Sequence, residues 1–250
     1  MTAQRVQDTT VIRPAPRPAA TRQLVCLGFC GGGTGPYRAW TSVLDQGTDL
    51  ALVCYPGREG RFAERFARTW DELVEDATEA VLSAADRPYL LFGHSMGGWM
   101  AFDVVTRIER RGGPLPYALV VSSCNAPNRG LTERDRFPSF ADSDSALLDW
   151  MKTIGLLPAY VRADPGLLEM AYELMRADIR VRDTYRYTPG ATTGVPVQVL
   201  WGRDDQVIEP AVAEQWRQVC DGDFRCDSLP GGHFYTPDVW RALPAHIDAL

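Results

Sequence analysis

Short apolar runs punctuate the chain at residues 24–29, 49–55, 89–92, 118–122, 195–201 and 224–229. Runs this short, rich in Val and Leu and mostly closed by Gly or Pro, predict buried strands rather than helices. Between them, apolar residues recur at helical spacing. Leu73, Val74, Ala77, Ala80 and Val81 predict a helix reaching Ala85, opened by Thr69 with Glu72 three residues on, a capping box. Met100, Ala101, Val104, Val105 and Ile108 mark a second helix. It closes on Arg107, Arg110 and Arg111 before Gly112 and Gly113, cations at the negative end of the helix dipole with a glycine stop. Residues 210–219 and 239–250 predict two more helices. Strands alternating with helices define an α/β class, with a mostly parallel sheet flanked by helices.

The alternation breaks once. From Asn125 to Pro189, about 65 residues hold no strand candidate, too many for an ordinary loop. Two amphipathic helices are legible there. One covers 143–155 with Leu147, Leu148, Met151 and Ile154. The other has Asp164 as N-cap and Pro165 at its first position, with Leu167, Leu168, Ala171, Leu174, Met175 and Ile179 along one face. An inserted helical lid over about 126–189 is expected, since such insertions shape the entrance to a site. Trp99, Met151 and Met175 read as core in the first instance. Residues 58–68 read as a charged surface loop, residues 1–22 as a disordered tail rich in Pro, Ala and Arg, and residues 23–250 as a single domain.

Composition removes several alternatives. Among 250 residues, 45% are hydrophobic and 23% charged, ordinary globular values. A net charge of -6 without a Lys/Arg cluster argues against nucleic acid as the partner. No apolar run approaches the roughly 20 residues of a membrane span, and the N-terminus lacks the apolar core of a secretory signal. The six cysteines (26, 30, 54, 124, 220 and 226) form no C-x-x-C, and Cys26, Cys54, Cys124 and Cys226 sit in or beside apolar runs. Free, hydrophobe-like cysteines suit a reduced cytoplasmic protein, and three scattered histidines offer no metal site.

The run at 89–92 leads directly into Gly93-His94-Ser95-Met96-Gly97, then Gly98 and the second helical pattern. Alone, G-x-S-x-G is a weak signal. Between a strand and a helix it is a nucleophile elbow, whose tight turn exposes the serine at the carboxyl end of the sheet. A serine hydroxyl needs an adjacent base. His94 lies inside the elbow and points away from its neighbour's hydroxyl, and His246 falls in the last helical pattern. His233, in Gly231-Gly232-His233-Phe234 after the final strand run, completes the order nucleophile, acid, histidine. The acid is expected after the penultimate strand, where Asp204 and Asp205 both qualify. The spacing from Gly202 favours Asp205. The Gly-rich stretch 30–36 fits neither nucleotide-binding motif; its place after an early strand suits a backbone N–H donor for an oxyanion hole, paired with the N–H of Met96.

From residue 24 onward the chain resembles the free-standing type II thioesterases that accompany polyketide synthases and nonribosomal peptide synthetases, within the α/β-hydrolase superfamily. The segments carrying the resemblance are LGFCGGGTGPYRAW, YPGREGRF, LLFGHSMGG, RADPGLLEMAYELMRADIRVRDTYRY, WGRDDQV and PGGHFY. The resemblance implies hydrolysis of acyl thioesters from the phosphopantetheine arm of acyl or peptidyl carrier proteins, which removes stalled or mis-primed groups. It assigns Ser95, Asp205 and His233 as the triad and Met96 and Cys30 as backbone donors. It implies a monomer without metal or cofactor, the phosphopantetheine arriving on the partner. Two departures stand out. Family members usually read F-P-x-A-G-G where this chain has Leu27-Gly28-Phe29-Cys30-Gly31-Gly32, and the N-terminal extension lies outside the family pattern. The competing functions are a general carboxylesterase or lipase on the same fold, an acyltransferase or macrocyclising enzyme, and a non-catalytic carrier-binding scaffold.

Overall fold

The apolar runs form one sheet, extended by a short strand that hydropathy does not announce. The computed structural model describes residues 9–133, 135–136, 138–139 and 142–250. Its strands are β1 (Val11–Ile12), β2 (Arg22–Leu27), β3 (Thr48–Val53), β4 (Tyr89–His94), β5 (Ala118–Ser122), β6 (Val197–Gly202) and β7 (Phe224–Leu229). Their order is β1-β3-β2-β4-β5-β6-β7, with β1 antiparallel to β3 and every other pairing parallel. The helices are α1 (Trp70–Ala84), α2 (Met96–Arg110), α3 (Asp144–Thr153), α4 (Ala159–Ala163), α5 (Pro165–Asp183), α6 (Val212–Arg217) and α7 (Pro237–Arg241).

Strand period sorts the core into two layers. Val25, Leu27, Ala51, Val53, Leu91, Leu119, Val121, Val197 and Val199 face α1, α2 and α6. Their neighbours Leu24, Cys26, Leu50, Leu52, Leu90, Phe92, Val120 and Leu200 face the other way, onto Tyr37, Trp40, Leu243 and Ile247. Central β4 is buried along its whole length, as expected of a parallel strand covered on both faces.

The helix signals hold with small shifts. Thr69 accepts the Glu72 N–H (3.2 Å), but the Glu72 carboxylate accepts from Arg68 rather than Thr69, so half the capping box forms. Asp164 caps α5 through the N–H groups of Gly166 and Leu167. Helices α3, α4 and α5 occupy the insertion and enclose their own apolar cluster of Leu147, Met151, Leu157, Met175 and Ile179.

Three expectations are corrected. Within the expected 1–22 tail, residues 9–22 are ordered: β1 pairs with β3, and the Arg17 N–H donates to the buried Asp49 carboxylate (2.9 Å), which also pairs with the Arg13 guanidinium. Residues 1–8 lie outside the described residues. Polar anchors hold this segment, which is why a hydropathy reading missed it. The loop 58–68 is not simply a surface loop, because Arg58 and Arg61 are buried. The helix expected over 239–250 is short α7 followed by a 3-10 turn at Leu243–His246, since Pro244 has no N–H to continue an α-helix.

Candidate active site

β4 ends at His94, and Ser95 takes φ 54° and ψ -125° before α2 begins at Met96. A non-glycine residue at positive φ is strained and persists only where its surroundings enforce it. Here they do. The Ser95 N–H donates to the Ser122 carbonyl (2.8 Å), and the Ser95 carbonyl accepts from Gly98 (2.8 Å). A Cβ on Gly93 would collide with the Gly97 carbonyl, and one on Gly97 would sit 2.7 Å from the Gly28 oxygen, so the turn closes only with glycine at both positions.

The other two chemical groups arrive from adjacent strand ends. β6 and β7 pair in register to Gly202 and Leu229, and the loops beyond them carry Asp205 and His233. The His233 Nδ1 lies 2.8 Å from Asp205 Oδ2, and its Nε2 lies 2.9 Å from Ser95 Oγ. The Asp205 side chain is 1% exposed and that of His233 10% exposed. The second Asp205 oxygen accepts the Val207 N–H (2.9 Å), which fixes the carboxylate plane. Asp204 is exposed and only its backbone takes part, donating to the Gly231 carbonyl (3.0 Å). The sequence therefore singled out three residues that the fold brings into one hydrogen-bonded line.

The remaining histidines make no hydrogen bond to that line, although the His94 ring meets the His233 ring edge-on with centroids 5.2 Å apart. His94 is fully buried, its Nδ1 2.9 Å from the Ser122 hydroxyl, which is in turn 2.7 Å from the Tyr235 hydroxyl. Burial holds the His94 pKa well below its ordinary value, so the ring is neutral. His246 is exposed.

Ser95 and His233 open into a cleft also lined by Cys30, Met96, Trp99, Asn125, Trp150 and Arg182. Met96 is the first residue of α2, where N–H groups lack an intrahelical acceptor. Cys30 stands in the turn after β2. Burial, the largest influence, pushes its thiol up to about 12, so it stays a protonated thiol at neutral pH. Trp99, read as core, is both: it is buried and it lines the cleft. Met151 and Met175 belong to the apolar cluster of the inserted helices.

Asn125 was not signalled by any motif. Its amide donates to the Val207 carbonyl (2.9 Å) and accepts the Glu209 N–H (2.9 Å), which ties the end of β5 to the loop that carries Asp205. Tyr55, Arg58, Glu59 and Asp178 fall within the YPGREGRF and RADPGLLEMAYELMRADIRVRDTYRY segments, but no motif signalled their role, which is to brace the Gly-rich loop. Tyr55 donates to the Gly28 carbonyl, Arg58 to the Gly32 carbonyl, and Glu59 accepts from the N–H and hydroxyl of Thr34. Among the described residues, no cluster of three or more His, Cys, Asp or Glu side chains could hold a metal, and no helix is long and apolar enough to cross a membrane.

A strained serine between a parallel strand and its helix, with acid and histidine loops beyond the next strands and a helical insertion above, is the architecture of an α/β-hydrolase. The Thioesterase domain family matches residues 22–249, and the chain belongs to that family. It is 34% identical to the type II thioesterase BorB from the borrelidin biosynthetic cluster, with a TM-score of 0.82 over 96% of this chain and 98% of BorB. It is also 31% identical to the AMB antimetabolite synthetase AmbE of Pseudomonas aeruginosa, matching 84% of this chain but 10% of AmbE. The probable cadicidin biosynthesis thioesterase of Streptomyces griseus is 31% identical over 94% of this chain and 62% of its own length. The chain thus spans about a tenth of AmbE and under two thirds of the Streptomyces griseus protein.

Proposed function

We propose that this protein is a serine thioesterase that hydrolyses acyl thioesters on the phosphopantetheine arm of acyl or peptidyl carrier proteins, removing aberrant or stalled groups during polyketide or nonribosomal peptide synthesis. The observation that carries the reading is the continuous line Ser95 Oγ, His233 Nε2, His233 Nδ1 and Asp205 Oδ2, with both gaps under 3 Å, in a member of the thioesterase family. Likeness to the type II thioesterase BorB supports the carrier-bound substrate.

In this reading Ser95 Oγ attacks the thioester carbonyl as His233 Nε2 takes its proton. The Asp205 carboxylate accepts the Nδ1–H, holding the productive tautomer and stabilising the imidazolium. The negative oxygen is met by the backbone N–H groups of Met96 and Cys30. The C–S bond breaks, the thiol leaves with the His233 proton, and Ser95 is acylated. A water then gives a proton to His233, attacks the acyl carbon, and releases the acid as Ser95 regains its proton. The protein acts as a monomer in the cytoplasm, and its six unpaired cysteines suit that reducing setting.

The test is release of acyl groups from a loaded carrier protein by wild type and Ser95→Ala, with a matched oxygen ester alongside. Carrier-bound acyl release that exceeds ester cleavage and vanishes in Ser95→Ala is expected. Equal cleavage of both substrates points to a general esterase, and carrier binding without release to a scaffold.

A further inference from the structure

The lid and the Gly-rich loop share one buried ion pair. Asp178 lies on α5 of the lid, 2% exposed, and Arg58 follows β3, 5% exposed. The Arg58 guanidinium donates to both Asp178 oxygens (2.6 and 3.0 Å) and, through Nη1, to the Gly32 carbonyl (2.7 Å). Asp178 Oδ2 also accepts the Gly31 N–H (2.8 Å). Gly31 and Gly32 directly follow Cys30, the residue assigned as an oxyanion donor. One turn earlier on α5, Met175 packs where a Gly31 side chain would stand, and its sulfur lies 3.6 Å from Cys30 Sγ. Gly31 itself sits at φ 72°, a conformation that local sterics do not enforce for glycine. The orientation of the Cys30–Gly31 peptide therefore depends on a carboxylate from a different element.

We propose that Asp178 and Arg58 are positioning residues for the oxyanion donor, so that seating α5 on the body and orienting the Cys30 backbone N–H are a single event. Asp178 is carried by α5, so an α5 that lifts takes the Gly31 N–H acceptor with it, against the cost of parting a buried carboxylate from its guanidinium. The loop then keeps its internal turn bond from the Gly32 N–H to the Phe29 carbonyl (2.9 Å) but loses the bond that sets the Cys30–Gly31 peptide against α5, and the oxyanion is met by one donor instead of two. The lid in this view does more than cover the acyl group. Its docked state completes the catalytic site, which restrains acylation until the lid is closed over a substrate. This inference rests on the thioesterase reading of the site.

Replacing one partner strands a buried charge and endangers folding, so the decisive variant is the apolar double substitution Arg58→Met/Asp178→Leu, with Asp178→Asn as the milder, near-isosteric companion. Each is compared with wild type and Ser95→Ala on an acyl-loaded carrier protein. Two ligands accompany the kinetics: an alkyl boronic acid, whose tetrahedral adduct on Ser95 places an oxygen in the oxyanion hole, and a non-hydrolysable thioether of acyl-pantetheine. For the double variant, kcat should fall about 100-fold, the scale of one misplaced oxyanion donor. KM and thioether affinity should stay near wild type, while boronate affinity falls by the same factor as kcat. Asp178→Asn, which keeps an acceptor but loses the charge, should show the same split at about 10-fold. If either folded variant keeps wild-type kcat, or if thioether and boronate binding weaken together, the inference is wrong. Should the double variant not fold, Asp178→Asn decides by the same split. Turnover persisting in Ser95→Ala would instead overturn the reading of the site beneath it.

Discussion

Asp204 and Asp205 are neighbours with opposite surroundings. The first points to solvent and uses only its backbone, whereas the second is buried, accepts the Val207 N–H and faces His233. Asp205→Asn should therefore cut kcat by roughly ten-thousand-fold, the scale found when a triad carboxylate becomes an amide that favours the wrong imidazole tautomer. Asp204→Asn should leave kcat within about twofold, since exposed substitutions away from the chemistry rarely matter. Steady-state kinetics on one thioester separates the two. At this scale the sequence was legible wherever chemistry leaves a motif. Ser95, His233 and the Gly202-to-Asp205 spacing could be read off directly, and the geometry brings the three side chains together. Arg58 and Asp178 could not, because charged residues in a loop and a helix read as solvated until a fold buries them against each other. Asn125 likewise carries no pattern, since the bonds that tie it to the Asp205 loop reach Val207 and Glu209, more than 80 positions away.

Elements show the same division. The elbow was legible because β4, the turn and α2 are contiguous, and Gly93 is required by its contact with Gly97 four residues on. Gly97→Ala would press a methyl against the carbonyls of Leu27 and Gly28 at the neighbouring strand end. Neither backbone can yield without displacing Ser95, so activity should fall at least about 100-fold, the cost of misplacing a nucleophile by an ångström. Acylation by a fluorophosphonate probe would register that loss independently of substrate binding. The N-terminal segment was misread for the converse reason. It is fastened by Arg13 and Arg17 to Asp49 and to the carbonyls of Thr41 and Thr48, and short polar anchors leave no periodicity. Removing Arg13 would leave the Asp49 carboxylate, 3% exposed, short of its charged partner. Arg13→Ala should thus lower unfolding free energy by about 1–3 kcal/mol with kcat/KM unchanged, as chemical denaturation and kinetics would show. An unaltered midpoint would mean that the strap does not contribute to stability.

Across the whole molecule, the wall of the cleft is continuous with a titrating group behind it. Trp99 stacks on Tyr185 with centroids 4.8 Å apart and planes 10° apart, and Tyr185 meets Trp70 edge-on at 4.7 Å. Behind them, the Trp70 Nε1–H donates to Asp103 Oδ2 (2.7 Å). Burial pushes the Asp103 carboxyl up to about 6, against the partial relief of that bond and of Arg107 and Arg110. The folded protein thus holds this proton more tightly than the unfolded chain does. Between about pH 4 and 6 the native state binds more protons, so this group's contribution is greatest in acid and fades as pH rises through its folded pKa. Buried His94 works in the opposite sense. Its depressed pKa means the unfolded chain takes up the proton, so stability is lost as pH falls below about 6.5. The raw pH profile therefore mixes opposing slopes, to which carboxylates held low by arginine partners, such as Glu75 and Asp86, also add, and a difference is needed to separate them. Asp103→Asn imitates the protonated carboxyl and can still accept from Trp70. Relative to wild type, it should be near neutral at about pH 4 and stabilising by about 1–3 kcal/mol at pH 7 and above, with the change falling between those limits. Urea unfolding of both proteins at matched pH values measures that difference directly, because the contributions of His94 and of the other shifted groups are common to both and cancel. A difference that does not vary with pH would place the Asp103 proton elsewhere. It would also free the Trp70–Tyr185–Trp99 wall from any linkage to pH.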